Sequence, residues 1–209
     1  KLWYHGSICI GFGKAGNLIR LDCSTMEYEY IPFDPQGYKL VLIDSVTKHE
    51  LVDSPYNKRR QSCERAAAAI AGNHPEVKLL GDATLEMLEE VKDKISEEDY
   101  MRATYAIQEN SRLADTCEAL KRGDYETCRK KAYTLPNHGM SKLYEVSTEE
   151  LDFLNDVAKE CGVTGSRIMG GGFGGCTINL VKTLITTDSS KQRSVVLRQN
   201  SVKNRKYIR

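Results

Sequence analysis

Apolar and polar positions alternate first with a period of two and later with a period near 3.6, so strands lead and helices follow. LIRLDC (Leu18 to Cys23) and EYEYIPF (Glu27 to Phe33), parted by the short turn STM, predict a hairpin with one face of each strand turned inward. After the turn-forming DPQG, KLVLIDS is a short, nearly continuous apolar run, the pattern of a buried strand. Helical periodicity then takes over. Ser54 is placed to cap a helix, with Pro55 at its first position where the missing N–H costs nothing, and the segment Tyr56 to Ala71 ends at Gly72. Its alanine block, Ala66 to Ala69, provides a smooth side for close packing.

Further starts and stops are written in the same way. TLEMLEEVKDKI (Thr84 to Ile95) and DYETCRKKAYTL (Asp124 to Leu135, closed by Pro136) read as helices. Between them Ser96, with Asp99 at N3, caps a long amphipathic helix to about Arg122 that Gly123 ends. Ser147 with Glu150 forms a capping box before Leu151 to Cys161, ended by Gly162. CTINLV, after a glycine-rich loop, is a strand. No internal repeat is present, and the order of elements predicts an α+β domain, antiparallel strands packed with a helical block.

At 209 residues, 40% hydrophobic and 28% charged, the chain has enough apolar mass for one ordinary core or two small ones. No run approaches the roughly 18 apolar residues of a membrane span, and KLWYHGSICIGFGK lacks a signal-peptide core and cleavage site. A cytoplasmic protein with no membrane partner is expected. Seven cysteines, an odd number with no CxxC and no zinc-type spacing, predict reduced, mostly buried thiols and no metal site. The net charge of +1 conceals a contrast: from Lys182 to Arg209 eight Lys/Arg face one acid, Asp188. Such a tail suits nucleic acid or an anionic surface. Without interleaved aromatics, a solvated end is the expectation and a nucleic-acid partner is not.

The most informative stretch is GSRIMGGGFGGCTINLV, Gly165 to Val181, in which six glycines surround Phe173. Gly170, Gly172 and Gly175 satisfy GxGxxG, but a strand follows where a dinucleotide fold needs a helix N-terminus. A Walker A loop is excluded because no Lys-Ser/Thr follows, and GFGKAGN (Gly11 to Asn17) lacks both the upstream glycine spacing and the hydroxyl. Two readings stay open. Glycines let backbone N–H groups approach an anion or sugar oxygen as a concave nest, or they fill a tight turn where two elements cross.

These residues resemble the third signature motif of the GHMP small-molecule kinases in the form carried by galactokinases. Three further stretches are similar to that family in the same order: FGKAGNLIRLDCSTMEYEYIPF, LVLIDSVTKHELVDSPYNKRRQSCE and LYEVSTEELDFLNDVAKECGVTGSR. The resemblance covers Phe12 to Val181. It implies a GHMP kinase C-terminal type of domain and an ATP-dependent, Mg²⁺-assisted transfer of phosphate to the anomeric hydroxyl of galactose. The tyrosine of the family's YNxRR segment contacts the sugar, which implies that role for Tyr56. Gly170, Gly171, Gly172, Phe173, Gly174 and Gly175 inherit the glycine motif at the junction of the sugar and nucleotide sites. Arg59 and Arg60 have the charge for an anion, although on a capped helix such residues are more often solvated or paired.

Departures from the family are specific. Met169 stands where the family usually has Thr, removing a hydroxyl next to the loop. The N-terminal sugar-binding segment and the phosphate-cradling loop do not occur in this sequence. Counting eight residues back from Lys14, where the family has its catalytic aspartate, reaches Gly6. No catalytic residue is therefore assigned. Residues 1–11 and the basic tail 182–209 do not resemble the family, as truncation plus a reading-frame change would produce, so a carboxyl-terminal portion is expected. A non-catalytic sugar-sensing or partner-binding module is the alternative. The face left by an absent N-terminal domain is expected to favour self-association.

Overall fold

The computed structural model describes residues 10–35, 37–47, 55–128 and 139–183. Strands β1 (Asn17–Leu21) and β2 (Tyr28–Pro32) form the expected antiparallel hairpin, with Arg20 opposite Glu29 and Leu18 opposite Ile31. A second, three-stranded sheet has the order β3-β5-β4, where β3 is Tyr38–Asp44, β4 Gly165–Ile168 and β5 Cys176–Lys182. All its pairs are antiparallel. The helical block consists of α1 (Tyr56–Ala71), α2 (Leu85–Glu89), α3 (Glu97–Lys121) and α4 (Glu149–Glu160). The α+β class with antiparallel strands and a helical block is what the sequence pattern predicts.

The cores follow from how these elements meet. Ala66 and Ile70 of α1 are fully buried in one cluster with Ala103 and the nearly buried Ile107 of α3, and Leu88 and Val91 close it. Small alanine side chains let α1 and α3 approach closely, as expected from the alanine block. α4 lays Leu151, Leu154, Val157 and Ala158 inward near β4 and β5, and its Asn155 accepts a 2.6 Å hydrogen bond from Ser166 of β4. The hairpin packs through Ile31 against Cys117 and Leu120 at the end of α3.

Some expectations hold and others need correction. The hairpin does turn one face inward, the one carrying Ile31 at 1% exposure, while Tyr28 and Tyr30 on the other are 41% and 38% exposed. The side turned to α3 also carries the Arg20–Glu29 ion pair, with Lys121 of α3 3.1 Å from Glu29. The tyrosines instead gather Phe12, whose ring lies 5.3 Å from that of Tyr28 and whose carbonyl accepts from Tyr30. β3 is an edge strand among the described residues, and Leu40 and Leu42 are 44% and 56% exposed. An unbroken apolar run does not tell which of its faces is covered.

Helix ends differ in detail. Thr84 to Ile95 is not one helix: α2 stops at Glu89, Val91 leaves helical geometry (φ −112°, ψ 9°), and a 3₁₀ turn follows at Lys92–Lys94. The bend buries Val91 completely while leaving both lysines in solvent. Thr148, not Ser147, caps α4 by accepting from the Leu151 N–H, because Thr148 already has the extended backbone of a cap. The Ser147 hydroxyl donates to Asp152 at 2.6 Å instead, so the Ser147/Glu150 box is not the cap. Gly72 does end α1, but in a right-handed conformation (φ −63°). Ser96 caps α3 at the Asp99 N–H as expected.

Residues 125–128 are helical behind Asp124, which accepts from the Thr127 N–H. The remainder of that expected helix, Pro136, Ser54 and the tail from residue 184 lie outside the described residues. Among the described cysteines Cys117 is buried, Cys63, Cys128, Cys161 and Cys176 are half-buried, and Cys23 lies exposed, so "mostly buried" overstates their cover. None of the helices among the described residues is long and apolar enough to cross a membrane.

Candidate functional site

The glycine-rich loop, residues 169–175, joins two neighbouring antiparallel strands, β4 and β5. The Met169 N–H donates to the Cys176 carbonyl at 2.9 Å and closes its base, while the Gly175 carbonyl accepts from Ser45 just past β3. A strand on each side removes the dinucleotide-fold reading. Gly170, Gly172, Gly174 and Gly175 all have positive φ, and so does Phe173 at 60°. An aromatic residue in that region costs about 1–2 kcal/mol, so something must hold it there.

Two contacts do so. The Phe173 N–H donates a 2.6 Å hydrogen bond to the Val146 carbonyl. Its ring packs onto the core formed by Tyr105, Met140, Val146, Leu151 and Ile168. The neighbouring Gly172 makes this approach possible: a Cβ there would lie 2.2 Å from the Val146 carbonyl oxygen. At this position glycine is required by the close approach of two backbones, and the tight-turn reading holds. Gly170 differs. It is exposed, has φ +84°, and nothing lies within 4 Å of where its Cβ would stand, so its backbone is open to solvent.

Tyr56 opens α1 and is half-buried, and burial pushes its phenol pKa upward, with Cys63 and Cys23 adding to the shift. It stays protonated at neutral pH and can both donate and accept. One turn further on, Arg59 connects this helix to the loop. Its Nε donates to the Tyr144 carbonyl at 2.9 Å and its Nη2 to the Glu145 carbonyl at 2.6 Å. The same guanidinium stands 5.5 Å from the centre of the Phe173 ring. Of the expectations for Arg59, solvated or paired, the paired one holds: it is 9% exposed, grips main-chain carbonyls and lies 3.5 Å from the Glu145 carboxylate. Arg60 is exposed and paired with Glu64 at 2.7 Å.

Residues 116–195 match the GHMP kinases C terminal family. That segment carries a GHMP kinase C-terminal domain. A galactokinase of Fusobacterium nucleatum is 40% identical over 178 residues, covering 83% of this chain and 45% of that protein. A Thermotoga maritima galactokinase is 41% identical over 172 residues, covering 82% of this chain and 46% of the relative. The crystal structure of Lactococcus lactis galactokinase complexed with galactose matches with a TM-score of 0.82 at 29% identity, over 94% of this chain and 50% of that one. The chain thus spans about half the length of the galactokinases it matches.

Sequence reasoning missed Glu145, inside the matched segment, and Arg102, which precedes it. Glu145 has φ 53°, and its carboxylate accepts from Arg102 at 2.8 Å. Arg102 is 3% exposed, donates also to Ser62 of α1, and pairs with Glu98. Burial, with Arg102 second, holds the Arg59 pKa below the usual arginine range. Apart from the i,i+4 pair Glu98–Arg102, no local pattern marks either residue, since their other partners lie about forty or more positions away. Met169 is 44% exposed beside the loop, so the departure from Thr replaces a hydroxyl with an apolar surface.

Proposed function

We propose that this chain carries the Tyr56 and glycine-loop portion of a galactokinase, an enzyme that phosphorylates the anomeric hydroxyl of galactose. The observation that carries this reading is the loop itself: Phe173 is pinned by Val146 while Gly170, three residues before it, is left open. Likeness to galactokinases along more than four-fifths of the chain supports it. In this reading the Tyr56 phenol hydrogen-bonds the sugar, and the loop from Gly170 to Gly175 borders sugar and phosphate sites together.

Bound ATP supplies the γ-phosphoryl group, and Mg²⁺ neutralises charge on its phosphates. The open backbone at Gly170 fits close approach by phosphate oxygens. Among the described residues no three His, Cys, Asp or Glu side chains converge. In the reaction, the sugar oxygen bonds to phosphorus, the bond to the ADP oxygen breaks, and the hydroxyl proton passes to a base. Gly6 stands where the family has its carboxylate, and no residue of this chain is assigned that base. The reading therefore expects sugar recognition without turnover by this chain alone, in the cytoplasm. Exposed Leu40 and Leu42 support self-association through the β3 face.

The test is galactose-dependent ADP release from Mg-ATP, with a no-sugar control, run beside a galactose titration. Saturable binding without ADP release is expected. Turnover well above background would overturn the statement that the chain lacks its base and would direct attention to Asp44 or to Asp53, which lies outside the described residues. The alternative, a non-catalytic sugar-sensing or partner-binding module, is favoured by the same Gly6. Restored turnover when the missing catalytic portion is added back would reject that module.

A further inference from the structure

We infer that Arg59 is a positioning residue that fixes the glycine-rich loop against the Tyr56 end of α1. The inference deepens the proposed function and rests on it only for its consequence in sugar binding. Three consecutive carbonyls carry the argument. Those of Tyr144 and Glu145 accept from the Arg59 fork at 2.9 and 2.6 Å, and that of Val146 accepts from the Phe173 N–H at 2.6 Å. One guanidinium therefore holds the strip of backbone on which the loop is hung. Its face also lies 5.5 Å from the Phe173 ring, so the same group touches the loop directly.

The strip has no regular structure of its own, and its backbone is tied to the turn before it, where the Tyr144 and Val146 N–H groups donate to the Gly139 and Met140 carbonyls. Glu145 holds φ 53° and Phe173 φ 60°, two strained conformations on either side of the Val146 contact. Gly172 removes the side chain that would push the two backbones apart. From Arg59 the connection runs three residues back along α1 to Tyr56, the first residue of the helix. The fork thus sets the spacing of two features that the proposed site needs together.

Burial of two guanidiniums argues for geometry over stability. Arg59 and Arg102 are 9% and 3% exposed and share the carboxylate of Glu145, which lies 3.5 and 2.8 Å from them. Packing an apolar residue there would usually be as stable. A planar fork reaching two carbonyls at once is something neither methionine nor lysine can reproduce.

The experiment compares Arg59→Met, Arg59→Lys and Arg60→Met with the wild-type chain by amide hydrogen exchange, melting temperature and galactose titration. We expect exchange at Phe173 to quicken at least ten-fold in both Arg59 variants, with α4 amides unchanged and Arg60→Met like the wild type. Failure of lysine to rescue is the result that separates a fork from a simple charge. Galactose affinity should fall about five-fold with the loop. Unchanged exchange at Phe173 in a folded Arg59 variant, uniform loosening of the whole chain, or full rescue by lysine would each overturn the inference. If Arg59→Met does not fold, Arg59→Lys decides. If the wild-type chain binds no galactose, the proposed function fails, while the exchange comparison still decides the role of Arg59.

Discussion

A methyl group at Gly172 would stand 2.2 Å from the Val146 carbonyl oxygen and 2.6 Å from its Cβ, at a φ of +83°. Both obstacles belong to a fully packed residue, so neither swings away. Left-handed backbone costs a side chain about 1–2 kcal/mol, and forced overpacking costs about 1–3 kcal/mol more. Gly172→Ala should therefore lose about 2–5 kcal/mol. Gly170 supplies an internal control, because its φ is +84° and nothing lies within 4 Å of the added carbon. Gly170→Ala should lose only the conformational part, about 1–2 kcal/mol. In a chain of this size each kcal/mol moves the midpoint by about 2–4 °C, so thermal melts followed by circular dichroism should place Gly172→Ala about 2–12 °C below Gly170→Ala. Equal midpoints would refute the claim that the loop is pressed against Val146.

Other outcomes follow from the same geometry. Asp99 is buried, and its bidentate contact with Arg65, helped by Ser62 and Ser96, lowers its pKa from 3.8 to about 2. Stability from this pair is complete above pH about 4 and is lost as pH falls through about 2. The advantage of wild type over Asp99→Asn should shrink across that window by about 1–2 kcal/mol, with the exposure of Arg65 limiting the gain, and a pH-independent gap in urea melts would contradict it. Thr148→Ala should speed exchange of the Leu151 amide and cost about 1 kcal/mol; Ser147→Ala should leave that amide unchanged. Tyr56→Phe should keep stability within about 1 kcal/mol but lower galactose affinity about five-fold by calorimetry, the value of one hydrogen bond.

Local chemistry was legible wherever it acts locally. Ser96 caps α3 because its hydroxyl meets an N–H three residues away, and alternation in LIRL and YEYI produces a hairpin whatever packs on it. Choices settled by distant contacts were not. Which hairpin face is buried depends on α3, and the break after Glu89 depends on the core that takes Val91. Thr148 displaced Ser147 as a cap because Asp152 draws the serine hydroxyl away.

The candidate site divides in the same way. Its glycines announce themselves as a group, yet their individual duties do not. Gly172 serves a backbone contact with Val146, whereas Gly170 keeps an open surface. Arg59 looked like one of two adjacent surface arginines in YNKRR, but its partners lie 85 and 86 positions away. Glu145 gave no signal at all, since a positive φ at a glutamate has no sequence mark.

The most direct test of the central claim is a galactose titration of the intact chain followed by amide chemical shifts, with glucose as the control sugar. The account predicts saturable changes confined to the neighbourhood of Tyr56 and to Gly170 through Gly175, stronger with galactose than with glucose. A folded sample whose amides at those positions do not respond to galactose would contradict it.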